Sequence, residues 1–204
     1  MRAHRSIVAS ALLVCGAVIA AGIAPAQASV PTRKACAKGG ACAIGSRGPG
    51  GGMVFITPKT KGNTTGRYFE AAPARWAGGA LEPMVAWCDP ASVAIGGAGA
   101  RATAIGTGAA NTTSLLGACA SGAANTAHAY AGGGKTDWFL PSKDELNQMY
   151  KRIRNKGDFS VLGLAYWSSS EVADITAWGQ YFIDGRQANV FKEGKLFVRP
   201  VRMF

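Results

Sequence analysis

Acidic side chains are scarce in this sequence. The 204 residues include 11 Asp and Glu against 22 Lys and Arg, with only two histidines. The acids are dispersed, so no pair indicates a glycosidase or a calcium cage, although the fold could still bring Asp137, Glu171 and Asp184 together. His4 lies in the N-terminal segment, and His128 has neither a Cys-x-x-Cys motif nor another histidine in the rest of the chain with which to hold zinc. The sequence therefore predicts no metal site, no cofactor and no catalytic residues.

Long apolar runs are also absent beyond the N-terminus. Residues 1–5 carry two arginines, residues 7–23 are uncharged and apolar, and residues 26–28 are Ala-Gln-Ala. This order is typical of a secretory signal peptide over residues 1–28, with cleavage after Ala28. A membrane anchor is the alternative, but a span needs about 20 apolar residues. We therefore expect an exported protein without stable membrane insertion after cleavage, secreted or on the exterior of the cell envelope.

The expected mature chain, residues 29–204, has the size of one domain. Residues 29–47 are rich in Pro, Lys, Gly and Ala and are predicted to be a flexible tail before a domain at residues 48–204. Two arginines leave with the signal, so 20 basic and 11 acidic residues remain, a net charge of +9. No aromatic stacking platform or recognition helix accompanies this charge, which disfavours nucleic acid. An anionic extracellular polymer remains a candidate partner.

Cysteine usage indicates disulfides. Of the five cysteines, Cys15 lies in the predicted signal, so Cys36, Cys42, Cys88 and Cys119 remain. An even number in an exported chain predicts disulfide bonds. Of the three possible pairings we prefer Cys36–Cys42 with Cys88–Cys119, because the first two lie in a small Gly/Ala loop and the others flank one central segment. A catalytic cysteine would need a neighbouring histidine and acid, which the sequence does not offer.

The distribution of turn signals predicts strands at both ends and helices between them. Helices are predicted at residues 112–116 with Asn111 as N-cap, at residues 123–131, and after Pro141, where Ser142 and Glu145 form a capping box. Residues 73–108 are predicted to be mainly irregular. Predicted strands cover residues 53–57, 67–72, 166–169, 177–183, 187–192 and 196–202, and the first two form a hairpin. This order indicates an α+β fold and not a doubly wound sheet.

Two glycine-rich segments and three tryptophans are interpreted structurally. Residues 129–136 match a relaxed phosphate-loop pattern, but an extended segment follows where the mechanism needs a helix. Residues 106–111 lack the third glycine of a dinucleotide fingerprint. We predict that Trp138, Trp167 and Trp178 pack in or near the core, with a sugar-stacking surface as the alternative.

Five motifs, taken in order, resemble a known family. They are Gly-Gly-Gly-Met-Val-Phe-Ile at residues 50–56, Gly-Thr-Gly-Ala-Ala-Asn-Thr at 106–112, Asp-Trp-Phe-Leu-Pro-Ser-Lys-Asp-Glu-Leu at 137–146, Tyr-Trp-Ser-Ser-Ser at 166–170 and Val-Arg-Pro-Val-Arg at 198–202. Over residues 45–204 the chain resembles the Lcl C-terminal domain family, the secreted domain at the end of a bacterial collagen-like adhesin. The resemblance implies a compact C-type-lectin-like α+β domain with a twisted antiparallel β meander, one main helix and short helices. It also implies adhesion or glycan binding.

The Lcl C-terminal domain family is similar to formylglycine-generating enzymes and other C-type-lectin-like proteins. The sequence departs from these proteins and from the adhesin in three features. It has no Gly-X-Y collagen repeat, and it lacks the C-terminal cysteine pair of formylglycine-generating oxidases. It also lacks the Glu-Pro-Asn and Trp-Asn-Asp motifs of calcium-dependent lectins, since residues 82–84 match only in part. These differences disfavour oxidase chemistry and calcium-mediated sugar binding.

We therefore expect a secreted, non-enzymatic binding or adhesion domain for acidic glycans, other cell-surface polymers or a cell-surface protein. The alternatives are an enzyme of the formylglycine-generating-like superfamily with unassigned activity, and a structural cell-envelope protein. Because loops on a rigid framework usually carry recognition, we predict ligand-binding residues in and beside the hairpin near residue 185, namely Trp178, Arg186, Lys192 and Lys195.

Other basic residues receive different predictions. Arg199 and Arg202 alternate with valines in a predicted strand and are expected to pair with internal acids. The main basic cluster follows the predicted helix after Pro141 and consists of Lys151, Arg152, Arg154 and Lys156. Cations near a helix C-terminus stabilise it, and this cluster is also the second candidate for an anion-binding surface.

Overall fold

The computed structural model describes Cys36 and residues 41–91, 100–159 and 163–204. All of them belong to one unit, Arg33–Phe204. The predicted signal peptide, residues 1–28, lies outside the described residues, as does most of the predicted tail at 29–47. None of the described helices is long and apolar enough to cross a membrane.

The described residues form both α-helices and β-strands. The helices are α1 (Gly108–Ala118), α2 (Ala123–His128) and α3 (Lys143–Ile153), and a short 3₁₀ helix, Gly132–Gly134, lies between α2 and α3. The strands are β1 (Met53–Ile56), β2 (Phe69–Ala71), β3 (Met84–Val85), β4 (Cys88–Asp89), β5 (Ser121–Gly122), β6 (Ala165–Ala173), β7 (Thr176–Tyr181), β8 (Gln187–Phe191), β9 (Leu196–Phe197) and β10 (Val201–Met203). The α+β class predicted from the sequence is confirmed.

The described strands form three sheets. The first has the order β1-β2-β10 and is antiparallel, which confirms the predicted β1–β2 hairpin. The second has the order β3-β9-β6-β7-β8, and the third pairs β4 with β5. Strands β6, β7 and β8 form the predicted antiparallel meander. The meander stops there: β9 pairs with β6 in parallel, and β10 joins the first sheet. Pro200, which has no backbone N–H to donate to a ladder, lies between them.

Helix α3 begins and docks as the sequence predicts. Ser142 is its N-cap, and the reciprocal hydrogen bonds of the capping box are formed with Glu145. Leu146, Met149 and Ile153 recur at helical spacing and are buried. They pack in one cluster with the aromatic residues of β1 and β2. The apolar stripe of α3 therefore covers the three-stranded sheet.

The predicted N-cap of α1 is wrong. Asn111 lies inside the helix and is buried, and its Nδ2 donates to the Ala102 carbonyl at 2.7 Å. The helix begins earlier, after Thr107, whose side chain makes no capping hydrogen bond. The carboxylate of Glu145 instead accepts from the N–H of Gly108. A group on α3 thus caps α1, which a local sequence pattern does not reveal.

Strand β6 separates two apolar clusters. Tyr166 and Trp167 are consecutive, and since successive side chains point to opposite faces of a sheet, they enter different clusters. Trp167 packs with Trp87 and Leu115 under α1 and α2, while Tyr166 packs with the residues under α3. Trp138 is also fully buried and Trp178 is half-buried, so the three tryptophans pack in or near the core as predicted.

Two disulfides have the pairing preferred from the sequence. Cys88 is bonded to Cys119, which joins β4 to the end of α1. Cys36 is bonded to Cys42 and packs with Val54 of β1.

The described end of the predicted flexible tail is hydrogen-bonded to β1. The Gly45 N–H donates to the Val54 carbonyl at 2.8 Å, and the Val54 N–H donates to the Ser46 carbonyl at 2.9 Å. The ordered domain therefore begins before the predicted boundary at residue 48.

Candidate functional site

Lys192 lies in the interior, so the prediction that it binds a surface ligand is wrong. Its Nζ donates to Glu171 Oε1 at 2.6 Å and to the Asp174 carbonyl at 2.7 Å, and it lies 4.7 Å from the centroid of the Trp87 ring. Both partners of the ion pair have fully buried side chains. Phe191, the preceding residue, is 60% exposed. The alternation at the end of β8 thus places the phenylalanine outside and the lysine inside, where Glu171 compensates its charge.

The structure does not assemble the other predicted ligand residues into one site. Trp178 and Tyr181 are three positions apart on β7, so their side chains lie on opposite faces of the sheet. Lys143 Nζ is 4.3 Å from the Trp178 ring centroid, whereas the guanidinium of Arg186 is 4.1 Å from that of Tyr181. Trp178 and Arg186 therefore face different sides. Lys195 is exposed in the turn between β8 and β9.

The three acids left open by the sequence have separate partners. Asp137 pairs with Arg202, Asp184 pairs with Arg186, and Glu171 belongs to the buried pair described above. In the part of the chain that the structure describes, no group of three His, Cys, Asp or Glu residues is arranged to hold a metal ion.

Arg202 pairs with one internal acid, Glu70, as predicted, and with the exposed Asp137. Its Nη1 donates to Glu70 Oε1 at 3.0 Å, and its Nε donates to Asp137. Burial lowers the pKa of Arg202, but the hydrogen bonds to Asp137 and Glu70 outweigh it and the pKa is raised. Glu70 also accepts from the N–H groups of Gly50 and Gly52 at 2.8 and 2.9 Å. This carboxylate therefore fixes the glycine-rich turn before β1.

Arg199 also forms the predicted internal ion pair. Its Nε faces Oε1 of Glu82, whose other oxygen accepts from the Tyr166 hydroxyl. Burial raises the pKa of Glu82, against the lowering effects of Arg199 and Tyr166. The positive charge of Arg199 is thus largely compensated inside the fold.

The remaining donors of Arg199 join two loops. Nη1 donates to the carbonyls of Ala72 and Gly157 at 2.9 and 3.3 Å, and Nη2 donates to the carbonyl of Asp158 at 3.4 Å. The chain after β2 and the chain after α3 are therefore held on the same guanidinium.

A pocket of about 250 Å³ opens beside Arg199. Its walls come from residues 45–47 and 51–53, residues 72–74, and residues 153 and 156–158, with Arg199 in the lining. These segments meet because Arg199 binds the second and third of them, while Glu70 folds the turn that contributes the first.

Besides Arg199, whose charge is paired with Glu82, two cationic residues and one acidic residue line this pocket. Arg47 Nη1 donates to the Gly51 carbonyl at 3.3 Å, and the side chain of Lys156 lies against Gly45. Asp158 is exposed. Among the described residues, none of the ion pairs within 4.0 Å involves Arg47, Lys156 or Asp158. Their charges therefore face solvent or a ligand.

The outer surface of the described residues is strongly basic. Four of the 11 acids are buried, namely Glu70, Glu82, Glu145 and Glu171, but only three bases are, namely Lys192, Arg199 and Arg202. Fourteen basic residues and seven acidic residues thus remain outside the buried core. The cluster Lys151, Arg152, Arg154 and Lys156 is exposed at the end of α3, and Lys156 belongs to both this cluster and the pocket. We call Arg47 and these four residues the α3 basic patch.

Sequence reasoning missed the pocket but marked parts of it. Arg47 was assigned to the flexible tail, and Asp158 carried no signal at all. The basic cluster after α3 was the second candidate for a ligand surface. The glycine-rich residues 48–52 predict a turn, but such residues also allow other groups to approach the backbone closely.

The comparisons with known proteins assign no family. No protein-family model matches the chain, and no curated protein matches it.

Proposed function

We propose that this protein is a secreted, non-enzymatic binding domain that recognises anionic glycans or related cell-surface polymers through the α3 basic patch. The observation that carries the proposal is the partition of charge: outside the core, basic residues outnumber acidic residues two to one. Two of the exposed basic residues, Arg47 and Lys156, line one pocket, and Lys156 also belongs to the cluster at the end of α3. A surface of one predominant sign attracts polymers of the opposite sign.

Two disulfides support an extracellular location, because such bonds persist mainly in oxidising compartments. We also propose that the fold is C-type-lectin-like and that the chain is related to the Lcl C-terminal domain family. Support comes from the α+β class, the β6-β7-β8 meander and the helix that begins directly after the Leu-Pro-Ser turn at residues 140–142.

Binding is favoured over catalysis by the positions of the perturbed acids. The carboxyl groups with raised pKa values are Glu82 and Glu145, and both are buried. Glu82 compensates Arg199, and Glu145 accepts from backbone N–H groups of α1 and α3. Each group thus holds elements of the fold together, whereas a catalytic acid must reach a substrate in a cleft.

Chromatography on carboxymethyl dextran, developed with a salt gradient, tests the proposal. We expect the wild type to be retained and the double variant Arg47→Ala/Lys156→Ala to elute at lower salt. The control, Lys59→Ala/Arg67→Ala, also removes one lysine and one arginine that are exposed, lie outside the pocket lining and form no ion pair with a described residue. It should elute close to the wild type.

Equal losses of retention in the two double variants would show that total charge matters and the patch does not. No retention of the wild type would refute anionic-glycan binding and favour a structural envelope protein or an enzyme. Melting temperatures of both variants should match the wild type, because exposed substitutions away from special contacts usually change stability by less than about 0.5 kcal/mol.

A further inference from the structure

The pocket contains charges of both signs. Arg47 and Lys156 are cationic, and Asp158 is the one acidic residue among the described residues of the lining. A pocket for a simple anion gains nothing from Asp158, because charges of the same sign repel at short range. Asp158 does strengthen the binding of a ligand that has hydroxyl groups beside its acidic group, since a carboxylate accepts hydrogen bonds from hydroxyls.

The position of Asp158 is held by the fold. Its backbone lies in the left-handed region with φ +46°, which is uncommon for residues other than glycine although Asp and Asn tolerate it best. Arg199 Nη2 donates to its carbonyl, so the guanidinium stabilises this conformation. The residue before it, Gly157, is bound to the same side chain. Asp158 therefore has a defined place beside the pocket.

The size and the apolar part of the pocket restrict the ligand further. Its volume of about 250 Å³ lies just below the roughly 300–1,000 Å³ of pockets that enclose drug-sized ligands. It therefore has room for one monosaccharide-sized group. Met53, Ala72, Pro73 and Ala74 line it and provide apolar atoms for the face of a sugar ring.

We propose that the pocket binds a single carboxylated sugar unit of hexuronate size, an inference that rests on the proposed function. The carboxylate of the sugar pairs with Arg47 and Lys156, its hydroxyls donate to Asp158, and one face of its ring packs on the apolar wall formed by residues 72–74. The pocket then selects a pendant or terminal uronate over a sulfate or a phosphate, which offer no ring and few or no hydroxyl donors.

The test is an NMR titration of the purified, isotope-labelled protein with three probes: sodium glucuronate, methyl glucoside and sodium sulfate. We expect glucuronate to shift the amide signals of Gly45, Arg47 and Asp158. Methyl glucoside and sulfate should bind at least about tenfold more weakly, because each lacks one set of charge-assisted hydrogen bonds.

Two single variants and a control separate the charges. Lys156→Ala should weaken glucuronate binding by about tenfold, and Lys59→Ala, which lies outside the lining, should not change it. Asp158→Asn keeps a residue that tolerates the left-handed backbone but removes the negative charge. It should weaken glucuronate binding and strengthen sulfate binding.

Stronger glucuronate binding by Asp158→Asn would overturn the proposal, because Asp158 would then only repel the ligand. Equal affinities for sulfate and glucuronate would also overturn it. If the wild type is retained on carboxymethyl dextran but glucuronate shifts no pocket signal, the pocket assignment fails while the proposed function stands. If the wild type is not retained and glucuronate shifts no pocket signal, both the pocket assignment and the proposed function fail.

Discussion

Replacing Glu145 by glutamine tests the electrostatics that join α1 to α3. The Glu145 carboxylate is fully buried and accepts from the N–H groups of Gly106, Gly108 and Ser142 at 2.7, 3.3 and 2.8 Å. Burial raises the pKa of this carboxyl group from 4.5 to about 7, against the lowering effect of the three backbone donors. Glu145→Gln has nearly the same shape but does not titrate between pH 4 and pH 8.

The sign of the expected effect follows from proton binding. Between about pH 4.5 and pH 7 the folded protein keeps the proton on Glu145, whereas the unfolded chain releases it. The free energy of unfolding therefore falls as the pH rises through this window. One pKa unit corresponds to about 1.4 kcal/mol, so the rise from 4.5 to about 7 corresponds to a loss of about 3 kcal/mol.

Urea denaturation of the wild type and Glu145→Gln at a series of pH values measures the effect. Glutamine cannot accept from the Ser142 N–H with its amide nitrogen, so we expect the variant to be less stable at acidic pH by about 1–2 kcal/mol. The difference between the two proteins should then shrink or reverse as the pH rises toward neutrality. Glu82, whose pKa is also raised, is present in both proteins and cancels from the difference. A difference that widens with rising pH would refute the reasoning, because it would mean that the three donors outweigh burial and lower the pKa.

Two further predictions concern stability. Gly108→Ala should lower the free energy of unfolding, measured by urea denaturation, by about 3 kcal/mol, in the range of overpacked cores, because its Cβ would lie 2.3 Å from a Glu145 oxygen. Gly117→Ala is the control in the same helix: its Cβ meets nothing within 4 Å, so it should raise the free energy of unfolding by about 0.5–1 kcal/mol. Equal losses of stability in the two variants would contradict the packing at Gly108. The purified mature protein, residues 29–204, should show no thiol that reacts before reduction, and Cys88→Ala/Cys119→Ala should lower the free energy of unfolding by about 3–4 kcal/mol, since the bond closes a loop with a sequence separation of 31. A reactive thiol pair in the folded wild type would contradict the disulfide assignment.

The predictable part of the fold is the part governed by local chemistry. The capping box of α3 depends on residues three apart, and the β1–β2 and β7–β8 hairpins depend on their turns, so all three could be read from sequence. The N-terminus of α1 could not, because its cap is supplied by Glu145, 37 residues away from Gly108. The parallel pairing of β9 with β6 likewise depends on long-range packing.

The candidate site shows the same division. The exposed basic cluster at the end of α3 is visible as a run of residue types. The pocket is not, because it requires three distant segments to meet at Arg199. The surface prediction for Lys192 rests on its closeness in sequence to Arg186 and Lys195. Burial depends instead on the side of the sheet to which the side chain points at the end of β8, and on its partner there, Glu171.

The proposed function requires that the exposed positive charge recognises acidic groups on a glycan. Equilibrium binding of the wild type to carboxymethyl dextran and to unmodified dextran, measured side by side across a salt series, tests it most directly because the two polymers differ only in their carboxylates. We expect binding to carboxymethyl dextran that weakens steadily as salt screens the charges, and no binding to dextran. Equal binding to the two polymers, or binding that does not change with salt, would contradict it.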